Sequence, residues 1–184
     1  MSQGGSDIAN LIDLMKNDGL RLAQPVLVEG MPPMTFVCDF APDGANADDL
    51  NACQPELPDH LREFWSISRT AKLFEDREYG QWGLEILTPQ RAVEMTNSYR
   101  ARRQRDFVDG DLVFGQFFGD SDLLIIRCDV NSPDYGNVLV ALPLDPRPHW
   151  YQSAESFAEF LQRYAKAGGD KFWENADHMR VSDQ

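Results

Sequence analysis

Along the chain, apolar residues recur at helical spacing in some stretches and alternate in others. Ile8, Leu11, Ile12 and Met15 fall at i, i+3, i+4 and i+7, which predicts a first helix capped by Ser6 and stopped at Gly19. Short β-like runs are expected over 25–28 and 35–40, separated by the turn residues Gly30, Met31, Pro32 and Pro33. Residues 41–55, rich in Asp, Asn, Ala and Pro, read as an internal loop. Leu57, Leu61, Phe64, Trp65 and Ser68 mark the inward stripe of a second helix beginning at Pro58. A short strand is expected over 82–87. Thr88 and Pro89 then fit the N-cap and first turn of a third helix reaching about Arg105, thinly apolar (Ala92, Met95, Tyr99) and exposed at its arginine end.

The most strand-like region follows. Runs over 111–118, 123–130 and 137–142 are separated by turn compositions, Gly119-Asp120-Ser121-Asp122 and Asn131-Ser132-Pro133-Asp134-Tyr135-Gly136. Connections this short join antiparallel neighbours, so a meander is expected. Residues 143–148 break the pattern. Ser153 or Ser156 caps a last helix in which Phe157, Phe160, Leu161 and Tyr164 recur at helical spacing before Gly168-Gly169, and the tail after Trp173 is polar. Helices at both ends of an antiparallel meander define an α+β domain.

Length and charge narrow the function. At 184 residues, 42% of them hydrophobic, the chain suits one domain with a sizeable core. Its longest aliphatic run is the five residues 138–142, against the roughly 20 that a membrane helix needs. No secretory signal is visible, and the three cysteines (Cys38, Cys53, Cys128) form no CxxC or zinc pattern, so a reduced cytoplasmic protein without metal or cofactor is expected. The 30 acids exceed the 17 bases by thirteen. Such a charge repels nucleic-acid phosphates and favours basic partners. Residues 39–63 and 106–134 each carry seven acids and one base, whereas 91–105 carries five arginines and one acid.

Catalytic patterns do not hold up. Gly119-Asp120-Ser121 is similar to a lipase nucleophile block, but Asp145 and His149 have the wrong spacing for its partners, so the segment reads as a polar turn. Asp129, Asn131 and Asp134 lack the Gly and Glu of an EF-hand loop. His60, His149 and His178 have no second ligand at i+3 or i+4, and no phosphate-binding glycine motif occurs. Paired carboxylates of a glycosidase type would meet only in space and give no sequence signal.

From Leu57 to Tyr164, 108 of the 184 residues, the order of elements resembles the SUKH superfamily of Smi/Knr-type fungal cell-wall regulators and bacterial toxin-immunity proteins. The matching pieces are Leu57-Pro58 with Leu61 and Phe64, then Leu84-Glu85-Ile86-Leu87-Thr88-Pro89. Val113-Phe114-Gly115 with Gly119-Asp120-Ser121-Asp122-Leu123-Leu124 follows, then Gly136-Asn137-Val138, and Ser156-Phe157 with Phe160-Leu161. Where the family often has Asn-Gly after the first helix, this chain has Arg69-Thr70, and residues 1–56 form an unmatched N-terminal elaboration. The resemblance implies a twisted, mainly antiparallel sheet backed by helices, and a non-catalytic role in binding, typically of a toxin effector.

The leading expectation is therefore an immunity protein that covers the working cleft of a basic toxin domain, such as a nuclease. The alternatives are a regulatory scaffold and an enzyme with an unrecognised carboxylate site. Contact residues are expected on the turns bracketing the meander, Asp120, Asp122, Asp134 and Tyr135. A second patch comprises Glu75, Asp76, Glu78 and Tyr79 of a loop, with Trp82.

Overall fold

The computed structural model describes residues 7–22, 35–53, 56–174 and 181. Among the described residues, seven strands form one sheet whose spatial order is the order in the chain, every neighbouring pair antiparallel. They are β1 (Phe36–Phe40), β2 (Ala71–Asp76), β3 (Leu84–Ile86), β4 (Asp111–Phe117), β5 (Leu123–Arg127), β6 (Val138–Ala141) and β7 (Tyr151–Ala154). Five helices accompany them: α1 (Asp7–Leu22), α2 (Ala47–Cys53), α3 (Asp59–Ile67), α4 (Pro89–Arg102) and α5 (Phe157–Lys166). The expected α+β architecture with an antiparallel meander is the observed one.

Local chemistry explains most boundaries. Thr88 Oγ1 accepts from the Arg91 N–H at the start of α4, and Ser156 Oγ accepts from the Glu159 N–H at the start of α5. The apolar stripe of α5 lies against the sheet. The Phe157 ring meets Phe114 edge-on at 5.0 Å, and the Tyr164 ring meets Phe74 at 5.3 Å and Phe117 at 6.2 Å. All five residues of β5 are buried, so the central strand is covered on both faces and cannot show a polar side. β3 stops opposite Gly115. Beyond it the Val113 N–H of β4 donates to Thr96 Oγ1 of α4, so the helix stands in for the missing strand.

Several expectations need correction. Residues 41–55 are not all loop: Asn46 Oδ1 accepts from the Asp49 N–H, Asp48 and Asp49 suit the first turn, and α2 buries Leu50. Glu75 and Asp76, expected in a loop, instead end a strand, β2, that begins at Ala71. A further strand, β7, follows the proline-rich segment, and α1 continues past Gly19. The arginine end of α4 is not uniformly exposed, because Arg103 turns inward (below). The run at 25–28, the turn at 30–33 and the Ser6 cap lie outside the described residues.

Gly169 shows how tightly the end of α5 meets the sheet. Its φ of +84° is left-handed, and a Cβ there would sit 2.4 Å from the Phe74 Cβ. Only glycine fits this approach. The Gly169 carbonyl in turn accepts the Trp82 Nε1–H at 2.9 Å.

Candidate functional site

Strand pairing sorts the expected contact residues onto two ends of the sheet. Leu84 pairs with Phe117, and Leu123 with Ala141, so the β2–β3, β4–β5 and β6–β7 connections leave from one end. Asp111 pairs with Arg127, which puts the β5–β6 turn and the start of β4 at the other. The two turns expected to act together, at 119–122 and 131–136, therefore face opposite ways.

At the β5–β6 end the charges are internal. Asp111, whose side chain has no exposure, accepts Arg127 Nη1 at 2.8 Å and Arg147 Nη1 at 2.6 Å, and also the Val108 N–H. Arg127 Nε donates to Asp134 at 2.8 Å. Arg147 Nη1 donates to the Asp106 carbonyl and Arg147 N to the Asp106 carboxylate, which also holds Arg103 Nε at 2.9 Å. Three carboxylates and three guanidiniums thus form one continuous network, in which bidentate and charge-assisted bonds compensate burial. Burial works against the Arg127 charge, but the Asp134 hydrogen bond and the Asp111 and Asp134 charges outweigh it and raise its pKa. Burial alone would raise the Asp134 carboxyl; its hydrogen bonds and the Arg127 and Arg147 charges hold it below the usual carboxylate range. Asp134 is a member of this network, not a free contact residue. Tyr135, beside it, is partly exposed and donates its hydroxyl to the Glu56 carbonyl at 3.2 Å.

At the three-loop end a single cation serves several acids. Lys171 Nζ pairs with Asp120 and, at 3.1 Å, with Asp122, with Glu174 Oε1 at 3.7 Å. Asp122 is only 4% exposed, and its burial outweighs the nearby Lys171 charge, so its pKa is raised. For Lys171 burial opposes the charge, yet the Asp120 hydrogen bond and the Asp122 charge raise its pKa. Asp120 remains open to solvent. In the second expected patch, Asp76 is 1% exposed and accepts the Glu78 N–H, which closes the β2–β3 connection. Glu75 pairs with Lys72 at 2.6 Å within β2. Trp82 is half-buried, stacked on Phe36 and bonded to Gly169, so it holds the fold together. Glu78 and Tyr79 are exposed. Of nine expected contact residues, Glu78, Tyr79 and Asp120 combine exposure with a common end of the sheet. Asp76, Trp82, Asp122 and Asp134 have internal roles.

Sequence reading missed Asp111, Arg103 and Arg147. A signal existed for the first: Asp111 and Arg127 are charged residues in two largely apolar strand runs, at positions that a meander would pair.

A cleft of about 270 Å³ beside the network is lined by Cys53, Val93, Thr96, Asn97, Arg100 and Asp111 among others. Its chemistry is quiet. Burial pushes the Cys53 thiol up to about 12, far from a thiolate at neutral pH, and Asp111 is fully engaged by arginine. Cys128 is likewise raised, by burial first, to about 12. Among the described residues, no three His, Cys, Asp or Glu side chains converge in a way that would hold a metal ion, and no helix is long and apolar enough to cross a membrane.

An open antiparallel sheet with its helices, carrying neutralised internal charges and an acidic loop end, defines an α+β domain of the SUKH kind. The sequence model of the SMI1 / KNR4 family (SUKH-1) matches residues 44–163, and the chain belongs to that family. The match begins ahead of Leu57, taking in α2. Membership points in general terms to an immunity or regulatory role. No curated protein matches the chain.

Proposed function

We propose that this protein is a non-catalytic, cytoplasmic binding domain of the immunity type that neutralises a basic toxin domain by covering its working cleft. One observation carries the reading. The internal network balances three carboxylates with three guanidiniums, so the whole excess of thirteen negative charges falls on the rest of the chain. Because the network takes in as many acids as bases, it does nothing to dilute the acidic imbalance of the outer surface. Such a surface captures cationic proteins by long-range attraction and releases them as salt screens it. The network also argues against acid–base work there, because its carboxylates are already occupied by arginine donors.

Co-expression with the product of the adjacent gene tests this. The expected result is restored growth, a co-purifying complex, and affinity that falls steeply with ionic strength. A stable complex without any toxicity to relieve would favour the regulatory-scaffold alternative. Substrate turnover abolished by one Asp or Glu substitution would replace binding with catalysis.

A further inference from the structure

The β6–β7 connection holds a leucine fully outside the protein. Leu144 is 95% exposed, the most exposed large hydrophobic side chain among the described residues. A single exposed leucine is ordinary in itself. This one sits on a rigid loop. Arg103 Nη1 donates to the Leu142 carbonyl at 3.1 Å and to that of Pro143 at 2.6 Å, and its Nη2 donates to the Asp145 carbonyl. The Asp145 carbonyl also accepts the Trp150 Nε1–H at 3.0 Å. The Arg103 and Arg147 guanidiniums lie over the Trp150 ring, 5.8 and 5.2 Å from its centre. Pro143, Pro146 and Pro148 fix three more backbone angles. Both neighbours of Leu144 are thus tied down by their carbonyls while its side chain points to water.

We infer that Leu144 is the apolar anchor by which this protein engages a basic partner protein with an apolar recess, the β6–β7 connection being built in its bound form. The inference rests on the binding function proposed above and names its surface. An anchor held rigid before contact loses little conformational freedom on binding, which is how a small apolar group comes to dominate an interface. The occupant's charge follows from the surroundings. Leu123 pairs with Ala141, so the turn carrying Asp120 and Asp122 adjoins the connection that holds Leu144 and Asp145, and Glu174 shares with those two acids the cation Lys171. An apolar knob with carboxylates along one flank fits a recess with Lys and Arg on its rim.

The test places a photocrosslinking amino acid at position 144 and, separately, at exposed Asn131 on the opposite end, in full-length protein made in its native cell. The expected result is one adduct from 144, to a protein of net positive charge, and none from 131. Affinity for that purified protein should then fall at least tenfold in Leu144→Ser, with the unfolding midpoint unchanged. Adducts from 131 alone, or from both positions, leave the binding function standing and overturn the anchor. Adducts from neither overturn both. An adduct from 144 to an acidic protein or to a second copy overturns the partner chemistry, and unchanged affinity in Leu144→Ser overturns the anchor itself.

Discussion

The two ends of the sheet handle buried carboxylates in opposite ways. Around Asp111, each buried acid faces a guanidinium, and the pKa of Asp134 is pulled down. Around Lys171, one ammonium is divided among three acids, and burial pushes the pKa of Asp122 up. The difference is geometric. A planar guanidinium offers five donors: that of Arg127 serves two carboxylates and a carbonyl, and that of Arg147 grips both oxygens of Asp111 and a carbonyl, whereas an ammonium is a point charge. One end is therefore a structural lock, and the other keeps negative charge near the surface.

The largest expected effect is at the lock. Asp111→Ala leaves Arg127 and Arg147 buried without their shared acceptor and should cost about 3–5 kcal/mol, read from urea unfolding. A loss below ~1 kcal/mol would mean that water or relaxation satisfies these arginines, ending the distinction between the two ends.

Lys171→Met should cost less, about 1–2 kcal/mol, because Asp122 can take up a proton where the arginines cannot release one. Equal losses in the two variants would erase the contrast.

The smallest effect is the pH response. The folded-state pKa of Asp134 is depressed, so its contribution is present above the unfolded value of about 3.9 and lost as pH falls through the lower folded value. Asp134→Asn should flatten the acid limb of stability. The folded-state pKa of Asp122 is raised, so folding disfavours its charged form. Acidification through that raised value adds stability relative to neutral pH, and Asp122→Asn should remove the gain. Acid limbs that change in the same direction would show that both carboxylates share one environment.

Much of the fold is legible because it is repetitive. The caps and stripes of α4 and α5 and the three runs of the meander state their own periodicity, and these segments also carry the family resemblance. What escaped lacks such a signal. α2 buries one leucine and otherwise reads as loop composition. In β2 the alternation of Ala71, Lys72 and Leu73 breaks at Phe74, which is also buried and takes a left-handed backbone (φ 52°) where the register with β1 shifts. β7 is four residues long and mostly polar. The candidate site was less legible. Whether an aspartate on a turn faces solvent or an arginine depends on what crosses the sheet, and Arg103 and Arg147 reach their partners from 36 to 42 residues away in sequence. Leu144 gives no sign in sequence, since a leucine among prolines looks the same whether covered or bare.

A sheet laid down in chain order has a consequence for how the molecule assembles. Each strand from β2 to β7 pairs with the strand made just before it, so pairing can advance strand by strand as synthesis proceeds. The Trp82–Gly169 bond closes a span of 87 residues once α5 is made, and so acts as a final latch on a sheet that has already zipped.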